Sequence, residues 1–243
     1  MSERTFRRVT LALPGFDDGY LSNVTSLDNP RGLLQEFRYA DADLRALELA
    51  DATLSSGRVS GLGAEHVRME EVRVESVEFM GCDLGAVQWS DSKLSRTVFR
   101  DCKLLGAALS GLVLDNVLFQ GCKLDFATFA KVRAAGPVVF SKCTLTDATF
   151  TGCDLTRVVL DETVLRRTEF EHGSYREFDL RGNDLSEIRG ASNLAKVIID
   201  RGQEAELARA LVAELEAVFG DDLDDPIPGR PARAGEAGRP LGR

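Results

Sequence analysis

The sequence is poor in the residues that usually supply catalysis. Histidine occurs only twice, tryptophan once, and aromatic residues make up 7% of the 243 residues. His66 and His172 lie far apart in the sequence, and neither belongs to a Ser–His–Asp or Cys–His constellation. The chain also lacks the glycine-rich motifs that bind nucleotide phosphates. The sequence therefore predicts a protein without enzymatic activity and without a cofactor.

Long apolar runs and a basic charge excess are missing as well. No stretch approaches the roughly 18 apolar residues of a membrane helix, and the run Val9–Leu13 is too short for a signal peptide. The formal net charge of −9 disfavours direct binding of nucleic acid. The five cysteines are an odd number that favours reduced thiols. We therefore expect a cytoplasmic protein that binds neither nucleic acid nor a membrane.

What the chain has is a period of five. A large apolar residue recurs every fifth position from Tyr39 to Phe129, with Ala64 as the only small one. The phase slips by one residue at Gly136–Pro137, and the period resumes from Phe140 to Leu185. Neither an α-helix nor a flat, alternating strand has this period. A chain that bends through a corner every five residues does have it.

Residues of the same type that recur every twenty positions indicate the number of five-residue sides in one coil. Two sets recur at this spacing once the slipped residue is counted: Cys82, Cys102, Cys122 and Cys143, and Phe79, Phe99, Phe119 and Phe140. Four five-residue sides would stack these residues on successive coils. The predicted fold is an all-β solenoid, a right-handed quadrilateral β-helix. Its cysteines would form a line with steps of about 4.8 Å, which does not suit a tetrahedral zinc site, so no metal is expected.

Four segments carry a family resemblance: Asp41–Arg45, Cys82–Gly85, Cys153–Thr156 and Asn183–Ser186. They resemble the Ala-(Asp/Asn)-Leu-X-X motif of the pentapeptide-repeat family, which implies the same β-helix. Some members of that family mimic B-form DNA and act on DNA gyrase. The resemblance therefore adds an alternative function, a DNA-mimic regulator or protector of gyrase or another topoisomerase.

The N-terminal segment, residues 1–38, is predicted to cap the first coil of the repeat region, residues 39–190. Thr5–Leu13 has the composition of a strand. Asp28-Asn29-Pro30 has the form of a helix start and predicts a helix over Gly32–Arg38.

The C-terminal region, residues 191–220, is predicted to form a strand over Leu194–Ile199 and then a helix. Asp200 and Gln203 have the spacing of an N-terminal cap. The apolar face of this helix would consist of Leu207, Leu211, Leu215 and Phe219. This face either covers the last coil or forms a contact between two copies of the chain. The composition of residues 221–243 predicts a disordered tail.

One outward stripe is the candidate interface. Val98, Leu118, Val139 and Val159 occupy equivalent outward positions, and Leu105 and Phe126 on the neighbouring side would widen the patch. Strand propensity alone is the alternative explanation for its β-branched members. The leading functional hypothesis is a non-enzymatic interaction or scaffolding module that presents a rigid face to an unidentified protein partner.

Overall fold

The computed structural model describes residues 2–29 and 31–220, and it is a parallel β-solenoid of about seven turns with one C-terminal α-helix. The predicted four-sided β-helix is confirmed. The strands are β1 Glu3–Phe6, β2 Val9–Ala12, β3 Ser22–Asn23, β4 Leu33–Ala40, β5 Asp43–Ala50, β6 Thr53–Ser60, β7 Gly63–Glu70, β8 Arg73–Met80, β9 Gln88–Ser90, β10 Lys93–Arg100, β11 Ala108–Ser110, β12 Val113–Gln120, β13 Thr128–Ala130, β14 Arg133–Ala134, β15 Val138–Ser141, β16 Thr149–Thr151, β17 Val159–Asp161 and β18 Glu169–Glu171. Short 3-10 helices span Asp18–Tyr20, Ala191–Asn193 and Arg201–Gln203, and α1 spans Glu204–Glu214.

The strands form two main parallel sheets. One contains β17, β15, β12, β10, β8, β6, β4 and β3 in that order, with β14 also paired to β12. The other contains β18, β16, β13, β11, β9, β7 and β5. The first sheet includes the side of the coil that carries Phe79, here called the Phe79 side. The second lies on the opposite side and carries Trp89, and is called the Trp89 side.

The register between coils is twenty residues. Phe99 in β10 lies opposite Phe79 in β8 and Phe119 in β12. Between β12 and β15 the register is twenty-one, because Phe119 lies opposite Phe140. Ala134 still pairs with Leu114 in the older register, so the additional residue lies between β14 and β15, as the slip at Gly136–Pro137 predicts.

Corners are made by residues in the left-handed conformation. Within the eight-residue strands β8, β10 and β12, the residues Ser76, Arg96 and Asn116 have φ between 47° and 55°. This conformation costs a non-glycine residue about 1–2 kcal/mol. The stacking of core side chains between coils must offset this conformational cost for each coil to form.

The core is filled by like residues stacked on like. The rings of Phe79 and Phe99 are 4.9 Å apart with planes within 6° of parallel, and Phe119 continues the stack at 4.8 Å. On the opposite side Phe129 and Phe150 stack at 4.4 Å. These spacings match the distance between neighbouring strands, so the rings on successive coils lie nearly parallel.

The cysteines lie on successive coils, as the spacing predicts. The thiols of Cys102 and Cys122 each contact a backbone carbonyl oxygen of the preceding coil, at 3.5 Å from Phe79 and 3.4 Å from Phe99. The hydrogen bond to Cys122 and burial raise the pKa of Cys102 to about 12. Across residues 2–29 and 31–220 there is no group of three or more His, Cys, Asp or Glu residues arranged to hold a metal ion.

The solenoid starts earlier than the period indicates. The helix predicted over Gly32–Arg38 is wrong, because this segment belongs to β4, in which Leu34 lies opposite Leu54 of β6. Phe37 is fully buried. A Cβ atom at Gly57 would lie 2.3 Å from its ring, so the glycine makes room for it. Packing against the next coil therefore outweighs the local helix signal, and part of residues 1–38 belongs to the repeat.

The C-terminal predictions are partly correct. No strand is described at Leu194–Ile199, where Ile198 makes only an isolated bridge to Asp179. Asp200 and Gln203 do form a capping box ahead of α1. The helix ends at Glu214 rather than near Gly220. The tail predicted for residues 221–243 lies outside the described residues.

The apolar face of α1 is therefore shorter than predicted. Leu207 and Leu211 pack against the core and cover the last coil. Leu215 and Phe219 follow the helix and are 77% and 63% exposed.

Candidate interaction surfaces

The first part of the N-terminal segment, β1 and β2, lies along the rod, whereas β3 pairs with β4 at the first coil and Leu27 is buried in the main core. β1 and β2 form an antiparallel hairpin in which Phe6 pairs with Val9. Its apolar side chains Phe6 and Leu11 are buried in a cluster that is separate from the main core. The hairpin replaces the single strand predicted over Thr5–Leu13.

The hairpin covers the predicted interface stripe. Val98, Leu118, Val139 and Val159 are at most 3% exposed and form that separate cluster with Phe6 and Leu11. The prediction that the stripe is an exposed patch is therefore wrong. The missed signal is the spacing of Phe6, Val9, Leu11 and Leu13, which gives two short strands one apolar face.

Polar contacts fix the hairpin to the solenoid. The Ala12 amide donates to Asn116 Oδ1 at 2.8 Å, and Arg4 Nη1 donates to Gln120 Oε1 at 2.9 Å. Asn116 thus serves both as a corner residue and as an anchor. These contacts set the position of the hairpin on β12.

The turn of the hairpin is held by Arg7. Its Nη1 donates to Asp179 Oδ1 at 2.9 Å, and its Nη2 donates to the carbonyl oxygen of Arg181 at 2.6 Å. The Asp179 side chain is only 4% exposed. Burial alone would raise the pKa of Asp179, but the hydrogen bonds from Arg181 and the charge of Arg7 outweigh burial and lower this pKa below its ordinary value.

The remainder of the segment runs back toward the first coils. The Arg58 guanidinium lies 5.3 Å from the centre of the Phe16 ring, and its Nη1 lies 2.9 Å from Asp18 Oδ1. Asp18 also pairs with Arg38 at 3.7 Å. Contacts therefore extend along the Phe79 side from its first coils to Asp179.

The Trp89 side has a different outer surface. On four consecutive rungs, β9, β11, β13 and β16, the outward residues are all uncharged: Gln88, Ser90, Ala108, Ser110, Thr128, Ala130, Thr149 and Thr151. Charged residues flank them on both sides, with Arg68 and Glu70 in β7, and Glu169 and Glu171 in β18. We call these four rungs the uncharged face. At about 4.8 Å per step they extend over about 14 Å.

An exposed aromatic ring lies at the edge of this face. Phe126, 63% exposed, occupies the corner two residues before β13. Leu105, 40% exposed, lies one coil earlier near the same corner. The structure therefore does not bring these two residues to the stripe, which is covered, but places them beside the uncharged face.

Carboxylates accumulate at one corner of the first coils. Asp51, Glu71 and Asp91 occupy equivalent corner positions, each with φ near 50°. A hydrogen bond with Asp51 raises the pKa of Glu71. Arg73 and Lys93 line the same shallow groove and balance part of its charge.

Comparison with known proteins agrees with this geometry. The model of the family described as pentapeptide repeats matches eight copies, over residues 78–111 and 143–182. Over these residues the chain carries pentapeptide repeats, as the sequence motif predicts. No curated protein matches its sequence.

Three solved structures illustrate the similarity. A trypsin-treated form of QnrB1, a plasmid-mediated fluoroquinolone resistance protein, is 15% identical, with 75% of this chain and 100% of that chain covered and a TM-score of 0.45. HetL, from the cyanobacterium Nostoc and involved in heterocyst differentiation regulation, is 15% identical over 68% of this chain and 86% of its own, with a TM-score of 0.19. Rfr23 from the cyanobacterium Cyanothece is 16% identical over 51% and 88%, with a TM-score of 0.15.

Within the described part of the chain, no helix is both long enough and apolar enough to span a bilayer.

Proposed function

We propose that this pentapeptide-repeat protein is a non-enzymatic interaction module that binds a protein partner on the uncharged face, with Phe126 as the anchor. The carrying observation is an exposed aromatic ring beside four rungs without a charged side chain. A partner can cover such a surface without desolvating ions, and exposed aromatic residues often carry much of the binding energy at interfaces.

The absence of an enzyme-like cleft in the described residues supports a binding role. The side-by-side carboxylates Glu70–Glu71 are exposed or half-buried at a corner of the rod, and Asp161–Glu162 lie on its surface. A catalytic carboxylate usually needs an enclosed environment that shifts its pKa. Pentapeptide-repeat proteins are in general structural or interaction proteins, which agrees with this role.

The test is capture of partners by the protein and by a Phe126→Asp variant. Aspartate tolerates the left-handed conformation of this corner (φ 61°), so the coil should fold. Val164→Asp is the matched control, since Val164 is 49% exposed on another side. We expect crosslinked cytosolic partners to be lost with Phe126→Asp and retained with Val164→Asp. Equal retention, or equal loss, would reject the uncharged face as the interface.

The acidic corner formed by Asp51, Glu71 and Asp91 favours a second candidate, a DNA-mimic regulator of a topoisomerase. The small net charge of the repeat region argues against this candidate. About seven turns span about 34 Å, over which duplex DNA carries about 20 charges. Residues 39–190 contain 24 acidic and 18 basic residues, a net charge of −6.

Ion pairs between coils also mix the two signs of charge along the rod, unlike the uniformly negative surface of DNA. Lys103 pairs with Asp83 at 3.0 Å, and Arg166 pairs with Glu187 at 3.0 Å. A DNA gyrase supercoiling assay with micromolar protein separates the two candidates. We expect no inhibition and no protection from inhibitors, and either effect would favour the DNA mimic.

A further inference from the structure

A groove lies where the hairpin meets the additional residue of the solenoid. It has a volume of about 430 Å³. Its apolar lining comes from Val9, Ala134, Ala135 and Pro137. The additional residue widens the corner between β14 and β15, and the hairpin forms the opposite wall. No other described corner has both features, since the hairpin crosses the only register change from twenty to twenty-one.

The rim of the groove is positively charged although the protein is acidic. Arg8, Arg157 and Arg176 line it, against one carboxylate, Asp154. Asp154 Oδ1 already accepts a hydrogen bond from Thr156 Oγ1 at 2.6 Å. Arg157 pairs with an exposed carboxylate at 3.2 Å. Within residues 2–29 and 31–220, no carboxylate lies within 4 Å of the guanidinium of Arg8 or of Arg176.

The hairpin presents the free edge of β2 to this groove. The Ala12 amide points away from β1 and bonds to Asn116. Because hydrogen-bonding directions alternate along an antiparallel strand, Thr10 directs its own N–H and C=O to the same side. Thr10 lines the groove. An extended segment could therefore pair with this edge while its acidic side chains contact the arginines.

The chain contains a segment with matching chemistry. Residues 221–225 read Asp-Asp-Leu-Asp-Asp, two carboxylates on each side of one leucine. The groove has an apolar lining for one such side chain and a basic rim for its neighbours. We propose that the groove binds this acidic segment of the same chain, residues 221–225.

The start of this segment can reach the groove when the chain after α1 is extended. Glu214, the last residue of α1, accepts a hydrogen bond from the Ser192 amide at 3.3 Å. Ser192 belongs to the last coil, and the Glu177 amide, next to Arg176, donates to Lys196 of that coil at 2.9 Å. One five-residue side of a coil spans about 17 Å. Fully extended, the six residues between α1 and Asp221 would span about 20 Å. The Leu215, Glu216 and Ala217 amides bond back to carbonyl oxygens of α1 in the described structure, so this reach requires the turn after α1 to open.

A peptide competition experiment tests the proposal with full-length protein. In an acceptor variant, Asp221→Asn, Asp222→Asn, Asp224→Asn and Asp225→Asn remove the charges of the native segment. A fluorescein-labelled peptide with the sequence of residues 221–227 is titrated by anisotropy. We expect it to bind the acceptor variant at least tenfold more tightly than the parent, because a tethered segment competes at an effective concentration near millimolar.

Charge-reversal variants show where the peptide binds. Arg8→Glu with Arg176→Glu, introduced into the acceptor variant, should abolish binding. Arg45→Glu is the control, because Arg45 is exposed on another side and the charge change is of the same kind. A peptide with Leu223→Ser should bind more weakly. Equal binding to parent and acceptor variant, or undiminished binding after Arg8→Glu and Arg176→Glu, would overturn the proposal.

A spin label tests the contact within one molecule. The five native cysteines are buried, so a nitroxide attached through Ile227→Cys should label one position. We expect it to broaden the amide resonances of Thr10 and Ala135, and to lose that effect after Arg8→Glu and Arg176→Glu. Unbroadened resonances in the otherwise unchanged chain would contradict the proposal.

Discussion

The Phe79 side and the Trp89 side have the same backbone arrangement but different outward residues, which are apolar under the hairpin on the first side and mostly polar on the uncharged face of the second. On the Phe79 side, Val98 and Leu118 are covered by the N-terminal hairpin. On the Trp89 side, Ser110 and Thr128 occupy outward positions in strands that lie away from the β1–β2 hairpin. The repeat determines the coil, and the outward residues determine whether a side becomes an internal interface or an open surface.

The largest effect is expected from a charge under the hairpin. Leu118→Asp would bury a carboxylate without a partner and should lower the free energy of unfolding by several kcal/mol, or release the hairpin. Thr128→Asp, at an outward position of the Trp89 side, should change it by less than about 0.5 kcal/mol. Urea unfolding and tryptic cleavage at Arg7 or Arg8 measure the two outcomes. Similar effects of the two substitutions would contradict the difference between the sides.

An intermediate effect is expected from Asp179→Asn, which removes the negative charge that pairs with Arg7 and Arg181. Hydrogen bonds to charged groups contribute about 1.5–3 kcal/mol, so a loss of this order is predicted near neutral pH. The pKa of Asp179 is lowered in the folded state. Its contribution is therefore present above the unfolded pKa of about 3.9 and is lost as pH falls through the lower folded value.

The measurement is the difference in unfolding free energy between parent and Asp179→Asn as a function of pH. The difference should be constant above about pH 5 and should shrink below about pH 4. A difference that grows on acidification would mean that Asp179 is not a stabilising anion in the folded protein.

The smallest effect on stability is expected at the exposed residues after α1. Leu215→Asp with Phe219→Asp should leave the free energy of unfolding within about 0.5 kcal/mol, since both side chains are exposed. If these residues form the contact between two copies, the mass in solution should fall from that of a dimer to that of a monomer. If light scattering gives the same mass for parent and variant, Leu215 and Phe219 do not form a dimer contact.

The sequence alone was sufficient to predict the coil, because the same residue pattern recurs on every coil. Cys82, Cys102 and Cys122 recur at twenty residues, and each recurrence tests the same geometry independently. The single slip near Gly136 was also detectable, because the period resumes with full strength at Phe140. Repetition made the fold predictable without any knowledge of distant contacts.

The predictions that failed concern structural features that occur only once in the chain. The local signal at Gly32–Arg38 indicated a helix, yet pairing of Leu34 with Leu54 gave a strand. The covering of Leu118 depends on Leu11, more than one hundred residues earlier in the chain, and a pattern read along one strand cannot reveal such a contact. The exposed ring of Phe126 was identified from the sequence, but its position beside the uncharged face required the structure.

The central claim is that the hairpin lies on the Phe79 side, and methyl–methyl nuclear Overhauser contacts test it most directly. The account predicts contacts from the Leu11 methyl groups to those of Leu118 or Val139, which belong to one buried cluster. If these contacts are absent while those between stacked core residues such as Leu104 and Leu124 persist, the hairpin does not cover this side, and the account is wrong.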